Sequence, residues 1–265
     1  MIKIKLFLKP TFIALLLSIC ISGNVMAQDS GTIAPPKSEW KFLVVPYMLF
    51  PNMRGTVGLG DLYDVTLDAN SNDILGQLKM GFMLNAEAST GKWTIGSDLL
   101  YMSLAQGVKP GVLIQNGELS VKQLGWEVSG LYAVKPWLDL GIGGMLNSIY
   151  SGGEIYLISV GGWSSATKKT SMTKTWFDPM LIARIHSKSG EKFIYQLRGE
   201  IGGFGIGSDF AWQMQAYAGY RFSKLFQITG GYRIISLDYE TGSGGNRFMY
   251  NVDTSGPVLR FGFNF

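Results

Sequence analysis

The sequence predicts an all-β fold: a transmembrane antiparallel up-and-down β-barrel of about ten strands, preceded by a cleaved signal peptide. Three observations carry that expectation. Apolar residues recur with a period of two in segment after segment, short polar turns join those segments in pairs, and the chain ends on an alternating aromatic strand at Phe265. Beyond the first 27 residues no stretch of about 18 consecutive apolar residues occurs, so helical membrane spans are not expected.

The N-terminus has the plan of an export signal. Lys3, Lys5 and Lys9 form a basic region, and Phe12 to Ile21 is apolar apart from Ser18. Val25-Met26-Ala27 supplies a small-residue cleavage site, giving a signal peptide over 1–27 and a barrel domain over 28–265. The single cysteine, Cys20, lies inside the signal, and the bulky Ile19 before it disfavours a lipoprotein cleavage site. The mature chain then has no disulfide and no thiolate chemistry. Removing three lysines leaves 20 basic against 19 acidic residues, and the net charge falls from +4 to +1. With no dense basic face, nucleic-acid binding is not expected.

Along the chain, 79–89 and 92–104 alternate weakly but have strand length. Over 124–134, Leu124, Trp126, Val128, Tyr132 and Val134 oppose Gln123, Glu127 and Ser129. Residues 137–149 again alternate weakly. Over 192–203, Phe193, Tyr195, Leu197 and Ile201 oppose Gln196, Arg198 and Glu200. Over 208–222 an apolar row (Phe210, Trp212, Met214, Ala216, Ala218, Tyr220, Phe222) opposes one that holds Asp209, Gln213, Gln215 and Arg221. Over 225–233, Phe226, Ile228 and Tyr232 oppose Gln227, Thr229 and Arg233.

Short turns are expected at Ser89-Thr90-Gly91, Lys135-Pro136, Ser189-Gly190-Glu191 and Ser223-Lys224. The other connections, 50–78, 106–117, 150–174 and 241–247, are mostly longer, with a tight one at 204–208. Short turns on one side and longer loops on the other are the outer-membrane plan. Eight or twelve strands would follow if a loop were misread, and 54–60 and 62–68 can form an extra hairpin, though at about 9–11 residues per crossing they are too short to span.

The last strand presents Leu259, Phe261, Phe263 and Phe265 on one parity, the pattern of an outer-membrane assembly signal. Trp93, Tyr132, Trp137, Phe193, Tyr195, Tyr220, Phe222 and Phe226 lie near the short turns, and Tyr101, Trp126, Phe210 and Trp212 lie about ten residues further up. At a rise of about 3.3 Å per residue and a tilt near 40°, ten residues climb about 25 Å, the height of an apolar band. Periodicity alone leaves a rival, a soluble lipocalin-like barrel with its apolar face turned inward. The girdles, the terminal aromatic and the paired turns favour the membrane form.

The second half resembles a known group. Trp176-Phe177-Asp178-Pro179, Gly202 through Gln213, Gly231-Tyr232-Arg233, Leu237-Asp238-Tyr239 and Ser255-Gly256-Pro257 are similar to motifs of an uncharacterised bacterial outer-membrane β-barrel family, within the broad opacity-like outer-membrane group. Pro46-Tyr47, Asp73-Ile74-Leu75 and the strand of Glu87 extend the likeness through the first half. Where that family often has Ser-Phe-Ser, this chain has Asn70-Ser71-Asn72. The resemblance implies the outer membrane of a Gram-negative cell and brings no activity with it.

The polar parity places Asp98, Glu127, Asp178, Arg184, Arg198, Glu200, Arg233 and Arg260 inside the barrel. Buried charges pair, so the expected arrangement is a salt-bridge network filling the lumen. The alternative is a charged constriction in a narrow passive pore for small solutes or ions. An enzyme is hard to build here: the one histidine, His186, is expected at the rim, and no cysteine accompanies it for a metal site. Gly203-x-Gly205-x-Gly207 lies between alternating strands and is expected to be a hairpin turn, not a dinucleotide loop. Asp73 to Leu78 can form a helical turn, and Lys168, Lys169 and Lys174 in the 150–174 connection could meet lipopolysaccharide phosphates. The expected role is therefore non-enzymatic, structural or surface-interacting, without a cofactor. The expected partners are outer-membrane lipid, lipopolysaccharide and, during biogenesis, the barrel-assembly machinery. The oligomeric state is open.

Overall fold

A computed structural model describes residues 39–60, 64–108, 114–158, 165–188 and 190–265. The signal peptide expected over 1–27 lies outside the described residues. Those residues hold twelve strands: β1 (Lys41–Leu49), β2 (Asn52–Leu59), β3 (Val65–Ala69), β4 (Leu78–Thr90), β5 (Trp93–Val108), β6 (Ile114–Lys135), β7 (Leu138–Ile158), β8 (Ser165–His186), β9 (Phe193–Gly202), β10 (Phe210–Arg221), β11 (Phe226–Thr241) and β12 (Phe248–Asn264). One helix, α1 (Ser71–Gln77), follows β3.

All neighbouring strands run antiparallel. β1 pairs with β4, each strand from β4 to β12 pairs with the next, and β12 returns to β1, closing a ten-stranded ring. The closing seam runs from Leu43 opposite Asn264 to Leu49 opposite Val258. β2 and β3 are the extra hairpin expected from the short pieces near 54–68. β2 continues along the outer part of β12, from Asn52 opposite Ser255 to Leu59 opposite Phe248. The change of partner falls at Phe50-Pro51, where Phe50 N donates to Pro257 O at 3.0 Å. A Cβ on Gly256 would lie 1.9 Å from Phe50 O, so this crossing needs glycine within Ser255-Gly256-Pro257.

The pleat settles which face is inside. In β10, Phe210 is 47% exposed and Met214 44%, whereas Gln213 is 1% exposed. β9 does the same, with Phe193, Tyr195, Leu197 and Ile201 exposed and Arg198 and Glu200 buried. Leu259 and Phe265 face outward too, while Arg260 is buried. A water-soluble barrel would show the reverse. An apolar belt around a charged interior is the arrangement a bilayer requires, and ring closure satisfies the backbone there without a free edge.

Aromatics thicken this belt at the short-turn end. Trp93 meets Tyr132 at 5.0 Å, Tyr220 meets Phe222 at 5.3 Å, and Phe226 meets Phe263 at 5.5 Å. Phe42 N donates to Phe265 O and Phe265 N to Phe42 O, so the C-terminus is stitched to β1 at this same, periplasmic, end.

The outer half departs from the expected loops. β6, β7 and β8 have 22, 21 and 22 residues, so most of the connection expected over 150–174, and part of 106–117, is strand. Lys168 and Lys169 pair with Ile155 and Glu154 on β7 and are not loop residues. At about 2.5 Å of climb per residue these strands reach roughly 55 Å, well past the hydrocarbon. There the outer face meets water, so Ser171, Thr173 and Thr175 take its exposed positions and the apolar alternation fades. β9, with ten residues, stops near the top of the membrane.

Candidate functional site

The barrel interior is the candidate site, and three layers of side chains fill it. The lowest sits above the periplasmic turns. Arg184, on β8, reaches Glu87 on β4 through Nη1 at 2.8 Å and Asp139 on β7 through Nη2 at 2.8 Å. His186 Nε2 lies 3.1 Å from the same Asp139 carboxylate, and its Nδ1 is 2.8 Å from Ser187 O. The ring is half-buried at the rim, with both nitrogens facing oxygen acceptors.

The middle layer is one connected network across six strands. Arg198, on β9, binds Glu200 through Nε at 2.5 Å and pairs with Glu127 of β6. Gln213, on β10, donates to Glu127 Oε2 at 2.6 Å and accepts from Arg233 Nη2 at 2.9 Å. Arg233, on β11, pairs with Asp98 of β5 at 3.0 Å and donates to the Tyr47 hydroxyl of β1 at 2.8 Å. Tyr47 in turn donates to Asp98 Oδ1 at 2.8 Å. All seven side chains are buried. Beside them, a cavity of about 20 Å³ is lined by Asp98, Gln123, Glu127, Asn147 and Arg233, with room for about one water.

The upper layer is aromatic and apolar. Trp176 stacks on Tyr239 at 4.1 Å, with Phe248 and Tyr250 against its edges. Beneath lie Leu100, Met102, Met145, Ile149, Ile235 and Leu237, all buried. Asp178 is fully buried here and accepts from Ser208 N at 2.6 Å, Ser208 Oγ at 2.9 Å, Asn147 Nδ2 at 2.9 Å and Trp176 Nε1 at 3.0 Å. These bonds fasten the β9–β10 turn to β8, above the last backbone pair at Met180 and Gly202. Gly203, Phe204 and Gly205 take positive φ in that turn, and a Cβ on Gly207 would lie 2.2 Å from Phe177 O. Two motifs of the resemblance, Trp176 to Pro179 and Gly202 to Gln213, are thus the two halves of one joint.

The structure places all eight sequence-derived charges inside the barrel and divides them. Asp98, Glu127, Arg198, Glu200 and Arg233 share the middle network. Arg184 belongs to the lower layer. Arg260 holds neutral partners, lying 4.3 Å over the Tyr217 ring with Nη2 3.4 Å from Asn85 Oδ1. Asp178 serves as a hydrogen-bond acceptor for the joint. Sequence reasoning missed Gln213, Tyr47, Glu87 and Asp139. Gln213 stood on the polar parity of a clear strand, but as an uncharged residue it carried no pairing signal. Glu87 and Asp139 fall in the segments of weak alternation.

Outside the membrane, Arg247 ties the outer hairpin down, binding Asp64 at 2.6 Å and Glu240 at 2.7 Å. Its hydrogen bond holds the Asp64 carboxyl below the usual carboxylate range. Helix α1 is capped by Asn70, whose side chain accepts from Asn72 N and Asp73 N at 3.0 and 3.1 Å, while Asp73 answers to Asn70 N. The Asn70-Ser71-Asn72 variation therefore builds the helix start, and Ile74 packs into the barrel top.

Among the described residues no cluster of His, Cys, Asp and Glu is placed to hold a metal ion. No protein-family model and no curated protein matches the chain. Among solved structures, the attachment invasion locus protein Ail of Yersinia pestis is 12% identical, over 85% of this chain and 98% of that one, with a TM-score of 0.37. The outer-membrane protease OmpT of Escherichia coli is 9% identical, over 86% and 97%, with a TM-score of 0.44. The toluene transporter TodX of Pseudomonas putida is 8% identical, over 87% and 91%, with a TM-score of 0.39. By its own closed ring, outward apolar belt and inward charges, this chain is a ten-stranded bacterial outer-membrane β-barrel.

Proposed function

We propose that this barrel is a sealed, non-enzymatic component of the outer membrane, with a structural or surface-interaction role. The observation that carries the proposal is the connected chain from Glu200 through Arg198, Glu127, Gln213, Arg233 and Asp98 to Tyr47, which crosses the lumen at mid-height. The aromatic layer lies above this chain and the Arg184 layer below it, and the cavity beside it has room for about one water. The surroundings of His186 support the non-enzymatic part: Nε2 lies 3.1 Å from the Asp139 carboxylate and Nδ1 2.8 Å from the Ser187 carbonyl, so the ring faces oxygen acceptors and not a nucleophile's hydroxyl or thiol. Vesicles carrying the refolded mature barrel are expected to exclude small sugars in an osmotic swelling assay as well as protein-free vesicles do. Swelling at a porin-like rate would overturn the proposal and favour a narrow passive pore.

A further inference from the structure

Lysine recurs around the whole periplasmic rim. Lys92 joins β4 to β5, Lys135 ends β6, Lys188 and Lys192 flank the β8–β9 turn, Lys224 joins β10 to β11, and Lys41 opens β1. All six are exposed, and among the described residues none takes part in an ion pair. Lys92 Nζ lies 5.7 Å over the Tyr132 ring. Glu39 and Glu191 are the exposed acids at this end, while Glu87 and Asp139 are consumed by Arg184. Just above the lysines, Trp93, Trp137, Phe193, Phe222 and Phe265 are exposed to lipid.

We propose that this rim is a binding collar for anionic phospholipid headgroups of the inner leaflet. The ammonium groups take the phosphates and the aromatic belt fixes the depth. Charge and placement together argue for this occupant. Lysine stems can lie along the apolar wall while their heads reach the headgroup plane, where each basic residue gains from a negative surface. A soluble acidic partner would cover one face, whereas these lysines occupy every short turn and the strand at the seam. A lipid annulus has that same circular form. The attraction acts over about a Debye length, roughly 10 Å at 0.1 M salt, so it is sensitive to salt.

The test is the selectivity of the first lipid shell. The mature barrel is refolded in phosphatidylcholine bilayers holding trace spin-labelled phosphatidylglycerol or phosphatidylcholine, and the immobilised fraction of each is compared. The wild type is expected to favour the anionic label several-fold at low salt. Replacing all six lysines by glutamine should abolish the preference while heat-modifiable gel mobility shows an intact barrel. Replacing Lys79, Lys122 and Lys174, on the outer half, should leave it unchanged. Equal immobilisation of both labels by the wild type would overturn the proposal, as would a preference that survives loss of the six lysines. Lysine-dependent binding to isolated peptidoglycan without lipid selectivity would assign the collar to an acidic polymer and overturn it equally.

Discussion

Gln213 occupies the position where the two ion-pair groups of the middle layer meet, with its amide nitrogen on Glu127 and its amide oxygen on Arg233. Replacing it with leucine keeps the volume but strips a partner from each buried charge. The expected cost is about 1.5–3 kcal/mol, read from denaturant unfolding of the refolded barrel. Arg198→Ala should cost more, about 3–5 kcal/mol, because Glu127 and Glu200 are then left facing each other without a cation. If Arg198→Ala matched wild-type stability, the network would contribute nothing to the stability of the barrel. Asp178 acts differently, since its four donors are neutral. Asp178→Ala should free the β9–β10 turn from β8, raising amide exchange at Ser208 by at least tenfold with little change in the lower barrel. Unchanged exchange there would mean that glycine packing alone holds the joint.

At the level of elements, the outer hairpin gives a pH signature. Asp64 is held below its usual titration range by Arg247, so its contribution is present above the unfolded carboxylate pKa of about 4 and is lost as pH falls through the depressed folded value. Exchange of hairpin amides should therefore rise only in acid, and Arg247→Gln should produce the same loosening at neutral pH. A hairpin whose protection ignores both changes would be held by its backbone pairing with β12 alone. The elements also show what the sequence can report. Where strands cross the hydrocarbon, as in β9 and β10, lipid on one side and charge on the other imprint a strict period of two, and the segments 192–203 and 208–222 match closely. Above the membrane water touches the outer face, and Ser171 and Thr173 read as loop although β8 continues through them. The direction of each interior side chain was legible from parity. Its partner was not, because pairing depends on strand stagger around the ring: Arg233 meets Asp98 across 135 residues, and Arg184 meets Glu87 across 97.

Across the whole molecule, the closed ring, the outward apolar belt and the layered interior act together. The ring satisfies the backbone in lipid. The interior charges then need partners of their own, and the partners available across a ten-stranded lumen bring opposite walls together. On the proposed reading, the same contacts that stabilise the barrel also close it, which links stability to impermeability. Single-channel recording of the refolded mature protein in a planar bilayer, beside Arg198→Ala and Arg233→Ala, tests that link most directly. A silent wild type is expected, with small, steady openings once either guanidinium is removed. A steady, ion-selective wild-type current that shifts with those arginines would contradict it and make the charged layer the constriction of a pore.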